Sequence, residues 1–249
     1  MCRHLAYLGP PVLLSELLLD GPSSLLRQTY APRDMRGSGS VNADGFGIGW
    51  YVDGRHVPVR YRRDLPMWAD GNLPGLAGAT RSPAVLAAVR NGTVGMPVVE
   101  TACAPFAEGR WLFSHNGIVN GWPSTVAALA ADLPVTDLMG LEAPTDSALV
   151  WALLRHQLRQ GIELGKAVGS LTSELGATAP GSRLNLLASD GEMIAATTWQ
   201  HSLWVLHDGG RVLVSSEPTD PDDTRWHPVP DAHLVLATRD DVHISPLDT

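Results

Sequence analysis

The stretch MCRHLAYLG, residues 1–9, decides the fold of this chain, because a cysteine stands directly behind the initiator methionine and leads into an apolar run. Chain termini normally fray in water, so a thiol at position 2 has little to pack against. The apolar residues that follow predict a strand from Arg3 to Leu8, and a strand inside a sheet would hold the terminus in place. The stretch therefore points to a fold in which the start of the chain is itself functional.

A small second residue permits the removal of Met1, which would make Cys2 the N-terminal residue. It then carries a thiol and a free α-amine on one carbon. An N-terminal amine has a reference pKa of about 7.7 to 8.0, so it can be neutral at cellular pH and accept a proton. One residue would supply both nucleophile and base, as N-terminal threonine nucleophiles do. The alternative is that Cys2 is incidental, so other parts of the chain have to decide.

The first part of the chain that could support a catalytic Cys2 contains hydrogen-bond donors for an oxyanion. Ser114, His115, Asn116 and Gly117 follow the strand-like run RWLF, residues 110–113. The Asn116 side-chain amide and the Gly117 backbone N–H could both donate to one developing oxyanion. The alternative is an ordinary tight turn, since His-Asn-Gly is also common after a strand.

Two charged residues could hold the ends of an amino acid. Arg90 closes the apolar run 84–90, and a guanidinium at the rim of a sheet can bind a carboxylate through two parallel hydrogen bonds. Asp146 stands in Pro-Thr-Asp-Ser, where its carboxylate could receive an ammonium group. The alternatives are a solvent-exposed arginine, and a helix start capped by Thr145 or Asp146. Together, Arg90 and Asp146 suit a zwitterionic amino-acid end.

Composition narrows the class of protein. The 249 residues are 44% hydrophobic and 18% charged, with no dividing linker, so we expect a single domain over 1–249. A net charge of −8 argues against nucleic-acid and anionic-membrane partners. Two cysteines cannot form a disulfide framework, which fits the reducing cytoplasm. The nine histidines show no metal-ligand pattern, and we expect neither a metal nor a cofactor.

The order of predicted elements is strands, then helices, then strands, which is typical of an α+β fold. The glycines of DGFGIGW do not match a nucleotide-binding loop and favour close backbone packing instead. The main predictions are a helix opening at Pro10-Pro11, a hairpin turning at Asp53-Gly54, strands over 84–90 and 110–114, two helices within 145–175 broken near Gly161, and later hairpins turning at Asp190-Gly191 and Asp208-Gly209-Gly210.

In order and spacing, these parts resemble the class II glutamine amidotransferase domains of the N-terminal-nucleophile hydrolases. The segments that carry the resemblance are Cys2, NADGFGIGWY (42–51), Arg90-x-x-Thr93-x-Gly95, Pro105-Phe106, His115-Asn116-Gly117, Thr145-Asp146 and Ser215-Ser216-Glu217-Pro218. The resemblance implies a four-layer αββα sandwich. The sequence departs from the family's pattern at Asn91, where many relatives carry Trp, and at Cys103, near which they often carry His.

By the same resemblance, Cys2 would be the nucleophile, with its own α-amine as base. Asn116 and the Gly117 N–H would form the oxyanion hole. Arg90 would bind the α-carboxylate, and Asp146 the α-ammonium, of a γ-glutamyl group.

The resemblance also implies what the domain acts on. No synthase domain accompanies it, so we expect a free-standing hydrolase of a small-molecule γ-glutamyl amide that needs no synthase partner. Residues 3–11 and 24–51 are most similar to the branch that acts in ergothioneine biosynthesis, where the leaving group carries a trimethylammonium cation. Aromatic faces bind such a cation, and the candidates are Tyr30, Trp50, Trp68 and Trp122. Two alternatives stay open: a glutaminase subunit that passes ammonia to a separate synthase, and a non-catalytic binding domain.

Overall fold

The fold contains more strands than helices. A computed structural model describes residues 2–34 and 41–248. The strands are β1 Arg3–Leu13, β2 Phe46–Trp50, β3 Val59–Arg63, β4 Arg81–Val89, β5 Phe106–Glu108, β6 Trp111–Ile118, β7 Arg183–Ser189, β8 Ile194–Thr198, β9 Trp204–Asp208, β10 Arg211–Ser215, β11 Trp226–Pro228, β12 His233–Ala237 and β13 Val242–Pro246. The α-helices are α1 Leu14–Leu18, α2 Leu25–Gln28, α3 Leu73–Ala79, α4 Ala127–Ala131, α5 Val135–Met139, α6 Asp146–Arg159 and α7 Leu164–Thr178. Across the described ranges, no helix is both long enough and apolar enough to cross a membrane.

The strands form two sheets. The first has seven strands in the order β11-β9-β10-β1-β4-β2-β3, and the second has six in the order β13-β12-β8-β7-β6-β5. Every strand pair is antiparallel. Strand β1 is central in the first sheet, between β10 and β4, so the start of the chain is paired on both sides.

Three apolar cores separate four layers. One core packs α1, α2 and α3 on the first sheet, a second lies between the sheets, and a third packs α6 and α7 on the second sheet. In the third core, the rings of Phe113 and Trp151 stack with centroids 5.6 Å apart. Each fully buried large apolar side chain contributes about 1.5 to 3 kcal/mol. The predicted αββα sandwich is therefore confirmed.

Strand alternation decides which side chains face the space between the sheets. In β1, Leu5 and Tyr7 belong to the helix-side core, whereas Ala6 and Leu8 belong to the core between the sheets. Because successive side chains on a strand point to opposite faces, the same alternation turns Cys2 and His4 toward the second sheet. The nucleophile candidate therefore lies at the inner face of the sandwich.

The glycines of β2 and its flank bring the two sheets together. A side chain at Gly47 would overlap the Ala104 carbonyl oxygen, and one at Gly49 would lie 2.6 Å from a methyl of Leu112. Gly45 has φ of +117° and would meet the Cys103 sulfur in the same way. The prediction that these glycines permit close backbone packing is confirmed.

The predicted boundary between the first strand and the first helix is wrong. The helix expected from Pro10-Pro11 begins at Leu14, because β1 continues to Leu13. The pairing of β1 with β4 shifts register between Leu8 and Val12, so both prolines lie in a bulge and need donate no ladder hydrogen bond.

The predictions of two helices within 145–175 and of the three hairpins are confirmed. Helices α6 and α7 are separated at Gly161, which has φ of +81°. Strands β2 and β3 pair as predicted, although their connection runs over residues 51–58 and is longer than a two-residue turn.

Candidate active site

Cys2 lies half-buried at the N-terminal end of β1. A cavity of about 30 Å³ at this end of the sandwich is lined by Cys2, Arg90, His115 and Ser147, among others. The structure thus brings the N-terminal residue, the rim arginine, strand β6 and the start of α6 to one end of the sandwich. Met1, whose removal the chemistry requires, lies outside the described residues.

The backbone of Cys2 is fixed by its neighbour. The Arg3 guanidinium donates from Nη1 to the Cys2 carbonyl oxygen at 3.0 Å and from Nε to Glu217 Oε1, also at 3.0 Å. Glu217 in turn accepts from the backbone N–H groups of Arg33 and Asp34. The start of the chain is therefore held by a buried ion pair as well as by the sheet.

Asn116 and Gly117 lie inside a strand, so the tight-turn alternative is wrong. They pair with Asn185 and Leu184 of β7. The Leu184 N–H donates to the Trp199 carbonyl on the other side of β7, at 3.0 Å. Because antiparallel pairs alternate between hydrogen-bonded and non-hydrogen-bonded, Gly117 and Leu184 form a non-hydrogen-bonded pair. The Gly117 N–H therefore points away from β7 and is not used in that ladder.

A glycine is required at position 117. A Cβ there would overlap the Arg183 carbonyl oxygen and lie 2.8 Å from His115 Nε2. The backbone of β6 can therefore approach β7 only without a side chain at this point.

A buried polar bridge, which sequence reasoning missed, joins the two sheets beside Cys2. The His4 N–H donates to Ser216 Oγ at 3.0 Å, and the Ser216 N–H donates to the His4 carbonyl at 3.0 Å. The Asn116 Nδ2 donates to the same Ser216 Oγ at 3.1 Å. His4 Nδ1 also lies 3.3 Å from Ser114 Oγ. The alternation of β1 and β6, which sets His4, Ser114 and Asn116 on inner faces, was the available signal.

His4 is neutral in the folded protein. It is fully buried, and burial, followed by the neighbouring His201, lowers its pKa well below the usual 6.5. An uncharged imidazole is compatible with the apolar core that begins at Ala6.

Arg90 is buried, contrary to the alternative of a solvent-exposed strand end. It is 9% exposed, and Nη1 makes a long contact of 3.5 Å to the Asp44 carbonyl. The Asp44 carboxylate holds the following loop by accepting from the Gly92 N–H at 2.7 Å. Within the described part of the chain, the guanidinium of Arg90 has no carboxylate partner. A buried arginine without an anion can receive a substrate carboxylate.

Asp146 is the first residue of α6, and Thr145 is its N-cap, accepting from the Ala148 N–H at 3.2 Å. Asp146 itself accepts from the Val119 N–H at 3.0 Å and from the Ser147 N–H at 2.7 Å. It is 4% exposed. Because an ionised carboxylate has about four acceptor sites, it retains capacity for an ammonium group.

His115 connects strand β6 to Ser147, the residue that follows Asp146 in α6. Its Nε2 lies 3.0 Å from the Arg183 carbonyl, which can only accept, so Nε2 carries the proton. Nδ1 then accepts from Ser147 Oγ at 3.1 Å. The strand that carries Asn116 is thereby connected to the helix start that carries Asp146.

A larger cleft of about 280 Å³ opens between the loop after Arg90 and the end of β6. Its lining includes Thr93, Gly95, Val119 and Trp122. A cleft of this volume can hold an amino-acid end and part of a group attached to it.

The aromatic candidates differ in position. Trp50 belongs to the helix-side core and is not available to a ligand. Tyr30 and Trp68 are exposed and meet edge to face, with ring centroids 6.1 Å apart. Trp122 lines the larger cleft.

Cys103, the other cysteine, does not have the environment of a nucleophile. It is fully buried beneath Gly45, and burial raises its pKa to about 11, so it stays protonated at neutral pH. Among the described residues, His, Cys, Asp and Glu side chains form no group of three that could hold a metal ion.

Comparison with known proteins identifies the family. Residues 17–209 match the model of the class-II glutamine amidotransferases. The chain belongs to the class II glutamine amidotransferase family, and the resemblance found in the sequence is confirmed.

Two full-length relatives are both named gamma-glutamyl-hercynylcysteine sulfoxide hydrolase. The protein from Mycolicibacterium smegmatis is 43% identical over 247 residues, which are 99% of this chain and 100% of that protein. The protein from Mycobacterium tuberculosis is 41% identical over 248 residues, 100% of this chain and 97% of that protein. A solved class-II domain protein from Silicibacter pomeroyi has the same fold, with a TM-score of 0.67 at 24% identity and 100% coverage of both chains.

Proposed function

We propose that this chain hydrolyses a γ-glutamyl amide, with Cys2 as nucleophile after removal of Met1. One observation carries the proposal: Arg90, a buried guanidinium without a carboxylate partner in the described chain, lines the same cavity as Cys2. The Asp146 carboxylate lies beside the strand that forms another wall of that cavity. A guanidinium and a carboxylate on elements that border one cavity suit the two ends of an α-amino acid whose side-chain carbonyl reaches the thiol.

The proposed reaction has two halves. The α-amine of Cys2 takes the thiol proton, and the sulfur attacks the γ-carbonyl carbon to form a C–S bond. The oxyanion is received by the second Nδ2 hydrogen of Asn116 and the N–H of Gly117, each contributing about 3 kcal/mol to the lowering of the barrier. The C–N bond then breaks, and the leaving amine receives a proton from the α-ammonium.

Water completes the reaction. The α-amine, neutral again, takes a proton from water as the water oxygen forms a C–O bond to the thioester carbonyl carbon. The C–S bond then breaks, glutamate leaves, and the α-ammonium returns its proton to the thiolate. No group outside the chain, its substrate and water is needed for these steps.

We propose γ-glutamyl-hercynylcysteine sulfoxide as the substrate, cleaved to glutamate and hercynylcysteine sulfoxide in ergothioneine biosynthesis. The names of the two relatives that align over nearly the whole chain support this choice. The trimethylammonium of the leaving group would lie against an aromatic face, and Trp122 is favoured because it lines the larger cleft. We further propose that the chain acts in the cytoplasm, where Cys2 stays reduced, and without a synthase partner.

Glutamate release from three substrates tests the proposal. The purified chain should release glutamate from γ-glutamyl-hercynylcysteine sulfoxide far faster than from glutamine or glutathione. Preference for glutamine would favour a glutaminase subunit that supplies ammonia. No release from any of the three, by chains shown to lack Met1, would favour a binding domain.

A further inference from the structure

Ser216 connects the strand that carries Cys2 to the side chain of Asn116. It follows β10 directly, and its Oγ lies 3.1 Å from Asn116 Nδ2, 3.0 Å from the His4 N and 3.3 Å from the His4 carbonyl oxygen. Ser216, His4 and Asn116 are all fully buried. The contact spans the two sheets, because His4 belongs to the first sheet and Asn116 to the second.

These three contacts use the whole capacity of one hydroxyl. A serine hydroxyl has one hydrogen to donate and two lone pairs to accept with. The His4 carbonyl can only accept, so the hydroxyl hydrogen points there, and both lone pairs receive N–H groups. In this arrangement the Asn116 amide turns its nitrogen, Nδ2, toward Ser216.

This fixes the orientation of the Asn116 amide. One Nδ2 hydrogen is bound by Ser216, and the other extends from the opposite edge of the nitrogen at an angle set by the planar amide. Among the described residues, Asn116 Oδ1 has no hydrogen-bond partner that would hold the amide instead. Ser216 is the side-chain contact that keeps the amide from rotating.

We infer that Ser216 is a positioning residue for the oxyanion donor Asn116, an inference that rests on the proposed function. Nucleophile and oxyanion donor lie on strands of different sheets, so no ladder hydrogen bond fixes one against the other. Ser216 does so through a single atom that binds both the backbone two residues from Cys2 and the Asn116 amide. The Cys2 thiol contacts the Asn91 carbonyl and not Ser216, so Ser216 acts through Asn116.

Ser215 provides a matched control. It is the adjacent serine and is also fully buried, yet its Oγ has no hydrogen-bond partner among the described residues. It lies on the opposite face of β10, with Leu213, toward the helices. Ser215→Ala and Ser216→Ala therefore each remove one fully buried hydroxyl group. Only Ser216→Ala removes the hydrogen bond that holds the Asn116 amide.

The experiment measures kcat and KM for γ-glutamyl-hercynylcysteine sulfoxide in Ser216→Ala, Ser215→Ala, Asn116→Ala and the Ser216→Ala, Asn116→Ala double variant. Ser216→Ala should lower kcat about 10- to 100-fold with KM nearly unchanged, a smaller loss than the 100-fold or more expected for Asn116→Ala. Ser215→Ala should keep the activity of the unmodified chain. In the double variant, Ser216→Ala should add little to the loss from Asn116→Ala, and multiplying losses would overturn the inference.

A readout without turnover separates this inference from the proposed function. The side-chain amide resonances of Asn116, identified by their absence in Asn116→Ala, should move in Ser216→Ala and stay in place in Ser215→Ala. Unmoved resonances in folded Ser216→Ala would overturn the inference, even if the unmodified chain released no glutamate. If Ser216→Ala does not fold, Ser216→Thr, which keeps the hydroxyl, should retain kcat, and Ser216→Val should lose it. Equal kcat in those two would also overturn the inference.

Discussion

Arg3 and Glu217 form an ion pair beneath the N-terminal end of β1, with 3.0 Å between Nε and Oε1 and side chains that are 0% and 2% exposed. The pair joins residues 214 positions apart in the chain. The same guanidinium donates to the carbonyl oxygen of Cys2, so the pair helps to determine where Cys2 lies. A terminus that would otherwise fray is thereby held at a defined place in the cavity.

Glu217→Gln should destabilise the protein by about 3 to 5 kcal/mol, because it keeps the shape of the side chain but leaves the Arg3 charge buried without its counterion. Urea unfolding measures this as a lower midpoint. Glu192→Gln is the control, since Glu192 is 83% exposed in its pair with Arg110, and its midpoint should match that of the unmodified chain. Equal midpoints for the two variants would show that the buried pair does not hold the terminus.

Arg90→Ala and Asp146→Asn should weaken capture of the γ-glutamyl end. Each removes a charge-assisted contact to substrate, so kcat/KM should fall about 10- to 100-fold, mainly through KM. Arg110→Ala serves as the control, because Arg110 is paired with Asp190 away from this cavity. An unchanged kcat/KM in both site variants would place the glutamyl pocket elsewhere.

Gly117→Ala should open the ladder between β6 and β7, because its methyl group would overlap the Arg183 carbonyl. Overpacking of this kind destabilises by about 1 to 3 kcal/mol, and we expect activity to fall with it. Gly75→Ala is the opposite case: it lies in α3 with no atom within 4 Å of an added Cβ, so the change should stabilise by about 0.5 to 1 kcal/mol. Thermal unfolding measures the stability of both variants. A Gly117→Ala chain as stable as the unmodified chain would contradict the close approach of β6 to β7.

Local signals explain why much of the fold was predictable. Glycines at positive φ, such as Gly161 and Gly191, mark turns by themselves. Periodicity identified α6 and α7 because long helices repeat their pattern several times. The bulge at Pro10 was missed, since it depends on the register with β4, which the local sequence does not contain.

The residues of the candidate site show the same difference between local signals and long-range contacts. Cys2, Arg90 and Asn116 could be named as candidates because they stand in short recognisable motifs. The bridge through His4, Ser216 and Asn116 could not, since Ser216 lies 212 positions from His4 and its contact with Asn116 depends on how the two sheets pack.

His4 should make stability depend on pH. Its folded pKa is lowered, so below about pH 6.5 the unfolded chain takes up a proton that the folded chain does not. The free energy of unfolding therefore decreases as the pH is lowered. The decrease should reach about 1.4 kcal/mol per pH unit. His4→Gln, which does not titrate, should lose this part of the dependence between about pH 7 and pH 5.5, whereas the exposed-site control His227→Gln should keep it. The same pH slope in His4→Gln as in the unmodified chain would contradict a neutral buried His4.

The central claim is that Cys2 acts as the mature N-terminus, and intact mass spectrometry of active protein tests it most directly. Protein purified from its native cell should have the mass of the chain without Met1, and the fraction lacking Met1 should equal the active fraction. Cys2→Ala, processed in the same way, should fold normally and release no glutamate. Full activity in a chain that retains Met1 would contradict the account.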